Sequence, residues 1–164
     1  MASKYRKEIF QVAIWVILYV VLGNARSVQA NAIIPGDVIA INMVIPVLAG
    51  ILYGRGHGLL VGFIGTFLNA LSPAGTVFEF LAIVPHSIMG FLAGYFKDKA
   101  PTPILALSLL VGHLLNLIVF ILFGLFDVGL IVTGLFWGGL LYEVFIGIVA
   151  VMIIKGIYTL GSVQ

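Results

Sequence analysis

Apolar residues run through this chain in six long blocks: about Ile9–Gly23, Ile33–Tyr53, Gly58–Leu71, Val77–Phe96, Pro103–Phe126 and Val128–Ile154. The blocks are continuous rather than alternating, which excludes the pattern of a transmembrane barrel. A helix needs roughly 20 mostly apolar residues to cross hydrocarbon, and lipid tolerates only structures that satisfy their own backbone hydrogen bonds. Turn-like clusters separate the blocks: Gly23-Asn24-Ala25-Arg26, Gly54-Arg55-Gly56-His57, Ser72-Pro73-Ala74-Gly75, Lys97-Asp98-Lys99-Ala100-Pro101, and Asp127. Gly and Pro in such clusters break helices for backbone reasons. The pattern predicts an all-α polytopic membrane protein, a six-transmembrane-helix bundle forming one transmembrane domain over residues 1–164.

Composition agrees. Of 164 residues, 62% are hydrophobic and 9% charged, where a soluble domain keeps about a quarter charged. The outer surface must therefore face lipid. Cysteine is absent, which excludes disulfides, thiolate nucleophiles and cysteine-ligated metals. Nothing in the chain calls for a cofactor or for nucleic acid.

Charge placement decides the topology, because Lys and Arg concentrate in short cytoplasmic loops. On length alone the short third block, Gly58–Leu71, fits a re-entrant segment as well as a span. If it spans, Lys4, Arg6, Lys7, Arg55, Lys97, Lys99 and Lys155 share one side and only Arg26 lies opposite. If it does not, Lys97, Lys99 and Lys155 cross over and the split is four against four. The expectation is six spans in the cell membrane with both termini cytoplasmic. Lys4–Lys7, the apolar stretch behind them and Ala30-Asn31-Ala32 also resemble a signal peptide and its cleavage site. The distance from Leu22 to Ala32 is long for a cleavage region, and Arg26 lies inside it. An uncleaved helix followed by a long external loop, Asn24–Gly36, is expected instead.

Helices in lipid associate by close packing, and Gly at four-residue spacing lets backbones approach. Gly50, Gly54, Gly58 and Gly62 form a ladder, and Gly90/Gly94 and Gly134/Gly138 add two pairs. Such stripes serve either as internal bundle contacts or as an outward docking surface for another membrane subunit.

Charged groups at mid-bilayer cost roughly 2.5–3.5 kcal/mol each, so they usually face a cavity or a partner. Run inward from Val77, the fourth helix places Glu79 near the external face and His86 near the middle, seven residues apart on one side. The fifth places His113 and Asn116 together near mid-depth. The sixth brings Trp137, Tyr142 and Glu143 to the external half. Three helices thus deliver polar groups to similar depths, either as a ligand cavity or as a Glu143–histidine pair that holds the bundle. Asn42 and Asn69 read as ordinary interhelical hydrogen bonds, and Asp37 and Asp127 as solvated helix ends. Pro85, next to His86, removes one backbone hydrogen bond, and Pro46 has the same effect in the second helix.

Three absences narrow the field. There is no phosphate-cradling G-x-x-x-x-G-K-[ST] segment, so ATP hydrolysis would have to come from a partner. No His-Glu-x-x-His helix and no Gly-x-Ser-x-Gly elbow occur, so the chain lacks the residues of a membrane hydrolase. No inverted repeat of the carrier type is visible. A lipid-modifying enzyme therefore lacks a catalytic pair, and the chain is not expected to be an enzyme.

The glycine-rich stretch Ile51-Leu52-Tyr53-Gly54-Arg55-Gly56-His57-Gly58-Leu59-Leu60-Val61-Gly62-Phe63-Ile64-Gly65, and Ala82–Phe96 ending Gly90-Phe91-Leu92-Ala93-Gly94-Tyr95-Phe96, resemble the substrate-binding (S) components of energy-coupling factor (ECF) vitamin transporters. Size, helix number, topology and a long first external loop fit the same family. The resemblance implies a pocket for a vitamin or precursor in the external half, where Glu79, His86, His113, Asn116, Trp137, Tyr142 and Glu143 lie by depth. It also implies a transmembrane coupling subunit and two cytoplasmic ATPase subunits, with toppling of the S component carrying substrate inward. The chain departs from the family at two places. Its first helix lacks the Ala-x-x-x-Ala of many coupling interfaces. Its N-terminus, Met1-Ala2-Ser3, lacks the second-position histidine of the nickel and cobalt members, so no metal substrate is expected. The competing reading is a small membrane scaffold resembling subunits of bacterial cell-shape complexes, which needs no cavity.

Overall fold

The computed structural model describes residues 2–25, 39–73 and 75–161. Among them the structure is helical: α1 (Ala2–Asn24), α2 (Val44–Tyr53), α3 (Arg55–Ala70), α4 (Val77–Tyr95), α5 (Thr102–Ala106), α6 (Ser108–Leu122) and α7 (Gly134–Gly161). Short 3-10 turns at Ile41–Met43 and Val128–Val132 lead towards α2 and α7. Four segments are long and apolar enough to cross a membrane: Tyr5–Asn24, Val77–Tyr95, Thr102–Leu122 and Gly134–Gly161. The second and third apolar blocks form shorter helices, Ile41–Tyr53 and the 16-residue α3. Most of the segment expected to form the long external loop, with Arg26, Asp37 and Ala30-Asn31-Ala32, lies outside the described residues.

Helix α2 is the centre of the bundle. Every residue from Val44 to Ile51 is buried, which suits a segment that is apolar on all faces. Pro46 does not bend it. The helix begins at Val44, so Pro46 sits in the first turn, where its missing N–H has no intrahelical partner to lose. Helix α4 likewise runs unbroken through the buried Pro85.

The glycine ladder is internal. A Cβ added to Gly58 would stand 2.5 Å from the Gly90 carbonyl carbon, and one on Gly62 would stand 2.7 Å from that of His86. At the turn between α2 and α3, Gly54 has φ of 99°, a left-handed conformation that disfavours other residues. A Cβ on Gly94 would in turn strike the Gly54 backbone at 2.5 Å. Helices α2, α3 and α4 therefore touch backbone to backbone, as small residues allow in lipid. Gly134, at the start of α7, has open space around it.

Two boundaries depart from the sequence reading. The fifth block ends at Leu122 rather than Phe126, because Gly124 at φ 67° closes a Schellman turn. In that turn Leu125 N–H donates to Phe120 O at 2.9 Å, and Gly124 N–H to Ile121 O at 3.0 Å. The sixth helix begins at Gly134 rather than Val128 and continues to Gly161. Asp127 is not merely solvated: its carboxylate accepts from Gly129 N–H at 2.8 Å and caps the intervening 3-10 turn. Thr133 then accepts from Phe136 N–H at 3.3 Å as α7 starts.

Helix directions gather the cations. The C-terminal end of α1 meets the end of α3, where Asn24 donates to Ser72 at 3.0 Å, so α1 begins at the opposite end of the bundle. Arg55, Lys97 and Lys99 lie at that opposite end, and Lys155 donates there to Thr102 at 2.6 Å.

The seam makes a testable contrast. Gly58→Val should destabilise the protein by roughly 1–3 kcal/mol through overpacking. Gly156→Ala, with nothing within 4 Å, should be neutral or gain up to about 1 kcal/mol from helix propensity. Unfolding followed in detergent checks both.

Candidate functional site

The seam delivers His86. Because Gly62 has no side chain, the His86 backbone lies directly against α3, and its ring projects away from that contact among four helices. Tyr19 of α1 rests its ring on Gly65, where an added Cβ would stand 2.9 Å from the Tyr19 ring, and its hydroxyl lies 2.7 Å from His86 Nδ1. Thr66 Oγ1 is 3.1 Å from the same nitrogen and 3.0 Å from the Tyr19 hydroxyl. On the other side of the ring, Asn116 Nδ2 of α6 lies 3.2 Å from Nε2. All four side chains are buried. Such a network is held rigid by its own completeness, since a buried polar group without a partner costs about 1–3 kcal/mol. One acceptor departs from that rule: Asn116 Oδ1 has no hydrogen-bond partner among the described residues.

Beside this network lies a cavity of about 540 Å³. Its polar lining includes Asn42, Asn69, Glu79, His86, His113, Asn116 and Glu143, and its apolar lining includes Phe78, Phe120, Phe126 and Phe136. Phe78 and Phe120 meet edge to face at 5.0 Å, as do Phe126 and Phe136 at 5.4 Å. A volume of several hundred Å³, mostly apolar with a few convergent polar groups, matches a small-molecule site.

The acidic residues are engaged as well as exposed to the cavity. Glu79 closes a capping box at the start of α4: Thr76 N–H donates to its Oε2 at 2.9 Å, and the Thr76 hydroxyl donates to the same oxygen. Glu143 of α7 approaches His113 of α6, with Oε2 3.9 Å from Nδ1. Its Oε1 accepts from the backbone N–H of Ala40, at the head of the chain leading into α2. Glu143 therefore ties α7 to the residues just before α2. A cavity and the Glu143–His113 approach, alternatives on sequence grounds, exist together.

Five of the seven sequence-derived site residues, Glu79, His86, His113, Asn116 and Glu143, line the cavity. Trp137 and Tyr142 do not. Trp137 is 40% exposed and donates its indole N–H to Ile131 O at 2.7 Å, so it braces the turn before α7. Tyr142 precedes Glu143 by one residue, about 100° around the helix, which turns it off the cavity-facing side. Asn42 and Asn69 are more than interhelical ties, since both line the cavity. Tyr19 and Thr66 went unremarked in the sequence. Thr66 lies one helical turn beyond Gly62 on the packed face, the signal that locates it. Among the described residues no group of three or more His, Asp or Glu side chains is arranged to hold a metal ion.

Comparison with protein families identifies the kind of protein that holds this cavity. The family model for the S component of the ECF-type riboflavin transporter matches residues 4–160. The chain belongs to that family. No curated protein and no solved structure matches it. As an S component, the chain is a multi-pass membrane protein and the substrate-binding subunit of a vitamin uptake system, not an enzyme.

In this S component the His86 network should support the fold as well as the site. Tyr19→Phe removes a buried hydroxyl with two neighbours and should cost about 1–3 kcal/mol in unfolding free energy. Trp137→Phe, at the turn before α7, should change stability by no more than about 1 kcal/mol.

Proposed function

We propose that this S component captures riboflavin in the cavity beside His86. The single observation that carries the reading is the cavity itself: about 540 Å³, with phenylalanine rings on its walls and amide, imidazole and carboxylate groups converging on it. A flavin needs both, since its fused rings are flat and apolar on their faces while its edge and its polyol chain are rich in hydrogen-bonding groups. The phenylalanines suit the ring faces. Asn42, Asn69, Asn116 and the two glutamates suit the polar parts. A membrane scaffold needs no such cavity.

The chain crosses the membrane six times in this reading, with both termini cytoplasmic. Seven of its eight cations, Lys4, Arg6, Lys7, Arg55, Lys97, Lys99 and Lys155, then face the cytoplasm, as the positive-inside rule requires. Helices α2 and α3 are short for full spans, and the tight glycine turn at Gly54 suits a short pair. Riboflavin enters from the end opposite the cations, where Thr76, Glu79 and Phe126 line the cavity. Without a phosphate-binding loop the chain supplies no ATP hydrolysis, so release inward depends on the transmembrane coupling subunit and two ATPase subunits implied by the family.

Purified in detergent, the protein should quench riboflavin fluorescence saturably at one site per chain. His86→Ala and Glu143→Ala should each abolish binding while leaving a folded protein, whereas Tyr142→Phe should stay within a few-fold of wild type. Absence of quenching by the wild type, or full affinity in both alanine variants, overturns the reading. Because the chain has no cysteine, single cysteines at positions 98 and 127 report topology without background. A membrane-impermeant thiol reagent applied outside cells should label the second and not the first.

A further inference from the structure

The hydrogens around His86 can be assigned by counting donors. Thr66 has one hydroxyl hydrogen, and its shortest contact, 2.6 Å to the Gly62 carbonyl one turn back, takes it. Towards its other neighbours Thr66 Oγ1 is therefore an acceptor. The Tyr19 hydrogen can go to Thr66 at 3.0 Å or to His86 Nδ1 at 2.7 Å, and only the first leaves Nε2 bare to accept from the Asn116 amide nitrogen, 3.2 Å away. With its hydrogen committed to Thr66, the Tyr19 oxygen, 2.7 Å from His86 Nδ1, can only accept there. The proton of the neutral imidazole thus sits on Nδ1, and Nε2 is a bare acceptor. Nε2 accepts in turn from the Asn116 amide nitrogen. One hydrogen of that NH₂ group is used on His86. What remains on the amide is the other hydrogen and Oδ1, the buried acceptor that has no partner among the described residues. Asn116 is 91% buried by its 9% exposure, and it lines the cavity.

We propose that Thr66 is a positioning residue that, through the His86 ring, locks the Asn116 amide in one orientation, so that it reads a cyclic N–H beside a carbonyl on the substrate. The inference rests on the cavity being the vitamin site. The chemical class it selects is a lactam or imide, such as the N3–H of a flavin flanked by its two carbonyl groups. The N–H donates to Asn116 Oδ1, and the remaining amide hydrogen donates to a flanking carbonyl. If the amide were free to turn over, Asn would accept donors and acceptors alike and read nothing. The hydroxyl chain that starts at the Gly62 carbonyl removes that freedom. A site built around a hydrogen bond discriminates against an analogue lacking the group, because the site's own polar atom is then left unpaired.

Two measurements test this. The first is the ratio of affinities for riboflavin and N3-methylriboflavin, which lacks the donor. Wild type should prefer riboflavin by about tenfold or more. Asn116→Leu should bring the ratio close to one. Thr66→Val should do the same without touching the ligand, since the Tyr19 hydrogen then passes to Nδ1, the proton moves to Nε2, and the amide must turn over. Thr66→Ser should restore the preference. The second measurement is ¹⁵N NMR of histidine-labelled, ligand-free protein, where His86 should carry its proton on Nδ1 in wild type and Thr66→Ser, and on Nε2 in Thr66→Val. Tyr19→Phe should keep the Nδ1 proton, which then donates to Thr66 Oγ1 at 3.1 Å, and provides the check if Thr66→Val does not fold. An Nε2 proton in wild type overturns the inference whether or not riboflavin binds. An unchanged ratio in Asn116→Leu or Thr66→Val overturns it too. Failure of wild type to bind riboflavin, with the Nδ1 proton in place, counts against the flavin reading alone.

Discussion

Helices in a bilayer gain little from hiding apolar surface from one another, because the lipid is equally apolar. What holds α2, α3 and α4 in one arrangement is the contact of bare backbone at Gly50, Gly54, Gly58, Gly62, Gly90 and Gly94. All but Gly54, whose left-handed turn is itself approached by Gly94, face another main chain at a distance that a methyl group would not permit. The constraint is geometric and reaches beyond the seam itself. With α3 and α4 fixed so closely, His86 has one place to be, and the side chains of Thr66 and Tyr19 come to it from fixed positions.

The seam also explains why a cavity exists. Helices α3 and α4 share the most extensive contact in the bundle, whereas α6 and α7 meet each other only lightly. Space that would be filled in a uniform bundle is left between α4, α6 and α7, and the polar groups that a bilayer would reject are spent on its walls. Glu143 and His113 keep one another company across that opening, and Glu143 in addition holds Ala40, so the cavity wall is linked to the chain leading into α2. Rigidity on one side and looseness on the other are a reasonable division of labour for a subunit that must bind a guest and later release it.

Much of this was legible in the sequence because it depends on periodicity and depth. The six apolar blocks, the Gly ladder and the common level of Glu79, His86, His113, Asn116 and Glu143 all follow from counting along helices. The errors arose where local turn chemistry overrode hydropathy. Gly124 ends α6 and Asp127 caps a 3-10 turn inside what reads as continuous apolar sequence, so α7 starts late. Depth alone also gives no azimuth, and Trp137 and Tyr142 share the level of Glu143 without sharing its face. Tyr19 and Thr66 escaped notice because their importance is a property of neighbours on other helices: a tyrosine in an apolar helix and a threonine after a glycine acquire meaning only once Gly65 and Gly62 bring them to His86.

In the proposed reading the vitamin lies inside the bundle rather than on its surface, and the methionines report on that directly. Met43 lines the cavity and is 1% exposed, whereas Met152 on α7 faces outward at 48%. Methyl NMR of methionine-labelled protein titrated with riboflavin should shift the Met43 resonance saturably through the ring current of the flavin and leave Met152 unmoved. A Met43 signal that stays in place at saturating riboflavin, or a response at Met152 alone, would contradict the account.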